Sequence, residues 1–372
     1  MTRKRKFWQR ITEGIALSEL WKHFRADARS SYRLYSLEVD TTRPPGVGKV
    51  KHFIRVFKQF LWAIVEKLSP ARRVFLVIAL FLLFVNMEAN WQNSEGELMS
   101  FHLGGAFWGG ILLFVLLALE ISDRVVMKRD LQIAKEIQSW LLPANPPPVP
   151  GLEIAFATRP ANTVAGDFYD VFPRSATNSP GGAYLVTIAD VAGKSVPAAM
   201  LMATYQASLK TLAGTASSLT ELVARMNNYA CGNSQNGRRF TTTFIAEYDP
   251  ASHGLNYVNA GHNPPILRRQ TGAVERLEAG GIPLGIELYA AYESGTVTLK
   301  NGDWLVIFTD GVTEAENARG EEYGETRLMV VLLANLAAAP QVLLNAIMLD
   351  LDRFVGDAPQ HDDITLLLLK AV

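Results

Sequence analysis

Residues 361–370 read HDDITLLLLK. From Ile364 to Leu369 the run is apolar except for Thr365, and a short continuous apolar run of this kind predicts a buried strand. Yet it opens on His361, Asp362 and Asp363, which puts two adjacent carboxylates at the mouth of an apolar layer. A strand turns successive side chains to opposite faces, so Asp362 and Asp363 cannot both serve one site from regular geometry.

Working outward, the segment from Gly151 onward alternates short apolar runs with helical patterns. Strands are expected at 152–158, 184–189, 242–248, 254–258, 265–268, 295–299, 304–308 and 364–369. Helices are expected at 198–212, 219–229, 327–337 and 341–354. Many strands with helices grouped between them imply an α+β fold of packed antiparallel sheets covered by helices.

Four acidic positions sit at strand ends or in adjoining turns: Asp167 in VAGDFYD, Asp190 in TIADVAGK, Asp310 in IFTDGVTEA, and the Asp362/Asp363 pair. Gly166, Gly193 and Gly311 accompany the first three, allowing sharp turns or close backbone approach. One Asp-Gly is an ordinary turn. Repetition at several strand ends suggests a cluster, whose members would raise each other's pKa unless cations lay among them. Oxygen ligands, with one cysteine in the chain and no histidine pair at ligand spacing, select Mg²⁺ or Mn²⁺ over zinc. Two such ions can activate a water for in-line attack on phosphorus. The residues alone therefore reach a metal-dependent phosphoester hydrolase.

The N-terminal part differs in kind. Residues 1–73 carry 17 Lys and Arg against 6 Asp and Glu, although the whole chain has 36 of each. A basic amphipathic pattern covers Val50 to Leu68 and a second covers Phe7 to Phe24, each fitting either an anionic membrane surface or a small helical domain. Nucleic acid is a weaker explanation, because the basic segment leads directly into apolar sequence. Two candidate spans follow, from Val74 to about Trp91 and from Leu103 to Ile121, against a requirement of roughly 20 residues. Arg72 and Arg73 precede the first, Arg124, Lys128 and Arg129 follow the second, and the link between carries only acidic charges, which places both termini in the cytoplasm. Next comes a helix over 122–142, stopped by Pro143 and the prolines at 146–148. Leu119, Val126, Ile133 and Trp140 recur every seven residues, a modest seam that could pair two copies. Cys231 is the single cysteine, which excludes an internal disulfide and fits a reducing compartment. The expected organisation is a basic region at 1–70, spans within 71–121, a linker at 122–149 and a domain at 150–372.

The ordered motifs LQIAKEIQSWLLP, RPANTVAGDFYD, IADVAGKSVPAAMLMA, TTTFIAEYDP, NAGHNPPIL, GIPLGI, FTDGVTEAENARGEEYGETRL and HDDITLLLL resemble the PPM-type (2C-like) metal-dependent serine/threonine phosphatases, in the bacterial SpoIIE/RsbU-like branch. The resemblance covers about 130–370. It implies an αββα sandwich with two Mn²⁺ or Mg²⁺ ions between the sheets, and phosphorylated STAS-type anti-sigma-factor antagonists as substrates in a partner-switching pathway; the two candidate spans, and not the resemblance, place the chain in the bacterial inner membrane. It further implies that Asp190 bridges both metals, with the Val191 carbonyl as a backbone ligand. Asp310 and Asp362 resemble the other ligands of one ion, and Asp167 resembles a ligand of the second. The nucleophile would be metal-bound water, so no side chain need form a covalent intermediate. Asp170, Lys194, His262 and Asp363 are candidates for supporting or substrate contacts, with His262 a weak candidate for the leaving-group acid.

Two departures accompany the resemblance. Ala165 and Ser195 stand where glycines are usual, a mild change unless either backbone needs a positive φ. Residues 172–182 read as a hairpin or flap, and the helix at 198–212 is placed to transmit movement to Asp190. A catalytically silent scaffold for STAS or kinase partners, and a small-molecule phosphatase, are the alternative functions.

Overall fold

The structure, a computed structural model of the chain, describes residues 49–84, 86–92, 98–174, 182–234 and 239–372. The basic amphipathic pattern expected at 7–24 and most of the flap at 172–182 lie outside the described residues. The chain divides into two compact units, Met1–Val125 and Val126–Val372.

In the first unit, α1 (Lys49–Lys67) carries the basic amphipathic pattern and is followed by α2 (Pro70–Phe84). Strands β1 (Asn86–Gln92) and β2 (Leu98–Gly104) form an antiparallel hairpin, and α3 (Gly105–Leu141) begins here. Helices α2 and α3 run antiparallel: Arg72 pairs with Glu120 and with Asp123 at 2.7 Å, while Gly109 lies against the backbone of buried Ala79. Two full spans are not shown among the described residues. At 15 residues α2 falls short of a bilayer crossing, and the stretch assigned to its far end pairs as β1 instead. Among the described residues only α3 has the length and apolar composition to cross. The second expected span and the linker are one 37-residue helix, about 55 Å long at 1.5 Å per residue.

The second unit contains the αββα layers. Its strands are β3 (Leu152–Arg159), β4 (Phe168–Arg174), β5 (Ala183–Val191), β6 (Thr241–Asp249), β7 (Gly254–Ala260), β8 (Ile266–Arg268), β9 (Val274–Arg276), β10 (Gly280–Gly281), β11 (Gly295–Thr298), β12 (Trp304–Phe308) and β13 (Ile364–Ala371). Its further helices are α4 (Ser195–Ala213), α5 (Leu219–Gly232), α6 (Asp310–Thr313), α7 (Gly324–Ala334) and α8 (Pro340–Val355). One sheet has the order β10-β7-β6-β5-β4 with β11 also on β7, and the other is β3-β13-β12-β8-β9.

The HDDITLLLLK strand is central, paired on either side with β3 and β12, and this explains its apolar continuity. Leu367 and Leu369 enter the layer between the sheets with Ile188, Phe244, Leu305 and Ile307. Ile364, Leu366 and Leu368 pack beneath α7 and α8 with Leu328, Leu344 and Ile347. The first sheet shows the same division: Val186 and Ile188 face inward, whereas Leu185 and Ala189 lie under α4 and α5 with Met202, Leu209 and Leu222. Strand β4 is absent from the sequence expectations because FYDVFPR carries an Asp, a Pro and an Arg. It is an edge strand whose Asp170 ion-pairs with Lys210 of α4 at 2.6 Å.

Candidate metal centre

Asp190 is the penultimate residue of β5, Asp167 stands just before β4, and Asp310 begins α6 directly after β12 and Thr309. Asp362 and Asp363 precede β13. Sheet pairing thus brings strand ends far apart in sequence to one rim of the inter-sheet layer. Burial, and then the charges of Asp310, Asp362 and Asp363, push the Asp190 carboxyl up to about 7. Burial followed by Asp362 raises that of Asp310, and burial followed by Asp190 holds Asp167 well above the carboxylate range. The expected mutual repulsion is therefore present. Among the described residues no three acidic or imidazole groups form a ready-made metal shell. The donor chemistry nevertheless fits hard divalent cations: acidic oxygens that repel one another, close to the Val191 carbonyl.

Asp167 is 2% exposed, and its Oδ2 accepts hydrogen bonds from Thr309 Oγ1 at 2.9 Å and Thr365 Oγ1 at 2.5 Å. The one polar break in the buried run of β13 is thus a hydroxyl aimed at an acidic rim residue. Motif reasoning does not reach Thr309 or Thr365, although a lone threonine inside an otherwise apolar strand is a usable signal.

The two adjacent carboxylates before β13 divide their work. Asp363 is buried, and its two oxygens accept from the Ala161 N–H at 2.7 Å and the Gly166 N–H at 2.6 Å. Asp362 acts on both Asp190 and Asp310, and its Oδ2 lies 3.2 Å from Lys194 Nζ. Lys194 also donates to the His361 carbonyl at 2.7 Å, so this lysine sits at the mouth of the acidic rim. Asp170 points to the other side of its sheet, where it contacts Lys210.

His262 is 5% exposed and bonded through Nδ1 to Thr242 Oγ1 at 3.1 Å, and Thr242 is the cross-strand partner of Asp190. Burial pushes its pKa down to about 4, which keeps the imidazole neutral.

Ser195 has a φ of 62°, so this position does require the left-handed backbone that glycine adopts freely. The expectation of mild change is corrected at Ser195, while Ala165 stays in ordinary backbone space. Ser195→Gly is expected to raise stability by about 0.5–1 kcal/mol, the released strain exceeding the added chain entropy. Urea denaturation of the two proteins checks this, and a less stable glycine variant would contradict it.

A two-sheet sandwich with an acidic rim is the architecture of the PP2C-like phosphatases. The SiaA-PP2C domain of Pseudomonas aeruginosa superposes with a TM-score of 0.58 at 20% identity, covering 67% of this chain and 99% of that domain. The SpoIIE phosphatase-domain structure from Bacillus subtilis gives 0.51 at 18% identity, covering 59% and 63%. The family model described as Stage II sporulation protein E (SpoIIE) matches residues 180–372, just over half of the chain, and the chain belongs to this family of PPM-type phosphatases. Among curated relatives, Protein IcfG of Synechocystis sp. is 29% identical over 279 residues, 68% of this chain and 43% of that protein. Phosphoserine phosphatase RsbU of Bacillus subtilis is 29% identical over 246 residues, 66% of this chain and 70% of that protein. The chain thus spans less than half the length of IcfG.

Proposed function

We propose that this chain is a membrane-anchored, metal-dependent phosphatase that removes phosphate from phosphoserine or phosphothreonine on a STAS-type protein in a partner-switching pathway. The observation that carries the reading is the gathering of Asp167, Asp190, Asp310 and Asp362 at one rim, with the Asp190 pKa displaced to about 7. Asp190 would serve both of two Mn²⁺ or Mg²⁺ ions, with the Val191 carbonyl as a backbone ligand; Asp310 and Asp362 would serve one of them, and Asp167 the other. Such ions supply an activated water and neutralise phosphoryl charge. Lys194, 58% exposed beside Asp362, is positioned to attract and orient the incoming phosphate. Asp363 fixes the loop before Asp167, and the hydroxyls of Thr309 and Thr365 orient the Asp167 carboxylate.

RsbU, described as a phosphoserine phosphatase, and the similar RsbP support the substrate class. The test is phosphate release from phosphorylated STAS proteins of the same genome by the purified full chain. Metal-dependent release, abolished by EDTA, is expected. Turnover of p-nitrophenyl phosphate without any protein substrate would favour the small-molecule alternative. Calorimetric Mn²⁺ binding with no hydrolysis of either would favour the silent scaffold, against which the full set of carboxylates counts.

The anchor would be α3, with α2 as a shorter second membrane segment and both termini cytoplasmic, consistent with the flanking basic residues. On the cytoplasmic part of α3, Val126, Ile133, Ile137 and Trp140 are 45–78% exposed, an apolar stripe suited to a second copy. Ile133→Glu together with Ile137→Glu is expected to convert a dimer to a monomer in detergent by light scattering. An unchanged mass would remove this stripe from the interface.

A further inference from the structure

The loop joining β3 to β4 carries Asp167 but has no ladder partner over 160–167. Two side chains from distant elements hold its backbone. Asp363 takes the N–H groups of Ala161 and Gly166. Gln138, in the last turn of α3, takes both polar groups of the intervening Ala165: its Nε2 donates to the Ala165 carbonyl at 2.7 Å, and its Oε1 accepts from the Ala165 N–H at 2.9 Å.

A primary amide presenting donor and acceptor to one residue imitates a β-pair. Here the imitation is buried, since Gln138 is 7% exposed while its neighbours Ile137 and Trp140 are 49% and 78% exposed. Deleting the amide leaves an N–H and a C=O without partners where water has poor access, so the loop would have to shift to satisfy them.

The shift would fall on sensitive ground. The next residue, Gly166, packs so closely on the Val191 carbonyl that a Cβ there would lie 3.2 Å from it, and the residue after is Asp167. We propose that Gln138 is a positioning residue for the metal centre, holding Asp167 in register through the backbone of Ala165. The inference rests on the metal-centre reading and adds to it a defined contact through which the end of α3 acts on the acidic rim. In LQIAKEIQSWLLP the glutamine is the chemistry-bearing residue, and its partner is the Ala165 of VAGD.

The test compares the full-length protein with Gln138→Ala and Gln138→Glu. In metal-free protein, hydrogen exchange over 161–167 is expected to accelerate in Gln138→Ala, with β5 and β13 unchanged. Calorimetric Mn²⁺ affinity is expected to weaken about tenfold, the low end for losing a residue that orients a ligand. Gln138→Glu keeps the acceptor for the Ala165 N–H but turns a carboxylate oxygen toward the Ala165 carbonyl, and is expected to weaken affinity at least as much; it carries the comparison if the alanine variant fails to fold. In an Asp167→Asn background, Gln138→Ala should weaken Mn²⁺ binding no further. Faster loop exchange with unchanged affinity, or equal weakening in the Asp167→Asn background, would overturn the proposal. A wild-type protein that binds no Mn²⁺ would instead overturn the metal-centre reading and this inference with it.

Discussion

Asp190→Asn is expected to reduce metal-dependent phosphatase turnover by about 10³-fold or more, a loss of roughly 4 kcal/mol of transition-state stabilisation, while leaving the metal-free protein at least as stable as the wild type at neutral pH. The two effects share one cause. The folded chain holds this carboxylate half-way between the sheets and the solvent, among Asp310, Asp362 and Asp363, and its pKa moves from 3.8 to about 7. A folded pKa above the unfolded one means that the favourable proton linkage is complete below 3.8 and is lost as pH rises through 7. Above that range the displacement of about three units corresponds to roughly 4 kcal/mol withheld from the metal-free fold. An asparagine of the same shape does not ionise, so denaturation at pH 8 should find the metal-free variant more stable by a few kcal/mol, with the gap closing toward pH 4. His262, whose pKa is lowered to about 4, makes stability fall as pH drops from 6.5 toward that value, but it does so in both proteins and leaves the difference intact. Mn²⁺ should stabilise the wild type and have little effect on the variant. Normal turnover by the variant, or a pH-independent gap between the two stabilities, would remove Asp190 from the centre.

The parts of this site visible in the sequence are those with a chemical signature on one strand end. Aspartates beside glycine, following an apolar run, are conspicuous because the run places them at a sheet rim. Hence Asp190, Asp310 and the pair at 362–363 stand out from residue pattern alone. The choice within the pair needs burial: Asp363 spends both oxygens on amide donors 197 and 202 residues upstream, and no local pattern encodes that. The same limit applies to Gln138 and Ala165, whose bonds join a helix end to a loop. Strand β4 is hidden for a different reason. Its edge place tolerates Pro173, and its helix-facing row of Phe168 and Phe172 is interrupted by Asp170, which an ion pair to Lys210 accommodates. The expected spans differ from the helices because hydropathy measures composition and not helix length. The Val74 run ends as a helix at Phe84, and the polar residues after it pair as a hairpin.

Gly311→Ala is expected to destabilise the fold by about 1–3 kcal/mol and to lower turnover about a hundredfold, although it adds one methyl group and removes no ligand. The reason is the closeness of two backbones. Gly311 is the second residue of α6, next to Asp310, and a Cβ built on it would stand 2.0 Å from the Asp363 carbonyl oxygen and 3.4 Å from the Asp362 carbonyl carbon. Neither side can yield cheaply. The 362–363 segment is fixed by the bonds from Asp363 to Ala161 and Gly166 and by the register of β13 against β3 and β12. The Gly311 side is fixed by Thr309, whose N–H bonds the Thr365 carbonyl at 3.1 Å and whose hydroxyl accepts from the Thr365 N–H at 3.0 Å. Whichever segment moves carries a rim carboxylate with it, Asp310 on one side and Asp362 on the other. Gly214→Ala is the control, since a Cβ there meets nothing within 4 Å and its φ of −79° suits alanine. Thermal melts and Mn²⁺-dependent kinetics of the two variants decide the matter. A Gly311→Ala protein that kept wild-type turnover and stability would show that the Asp310 and Asp362 segments do not need this close contact, and the rim would then tolerate more displacement than two-ion catalysis allows.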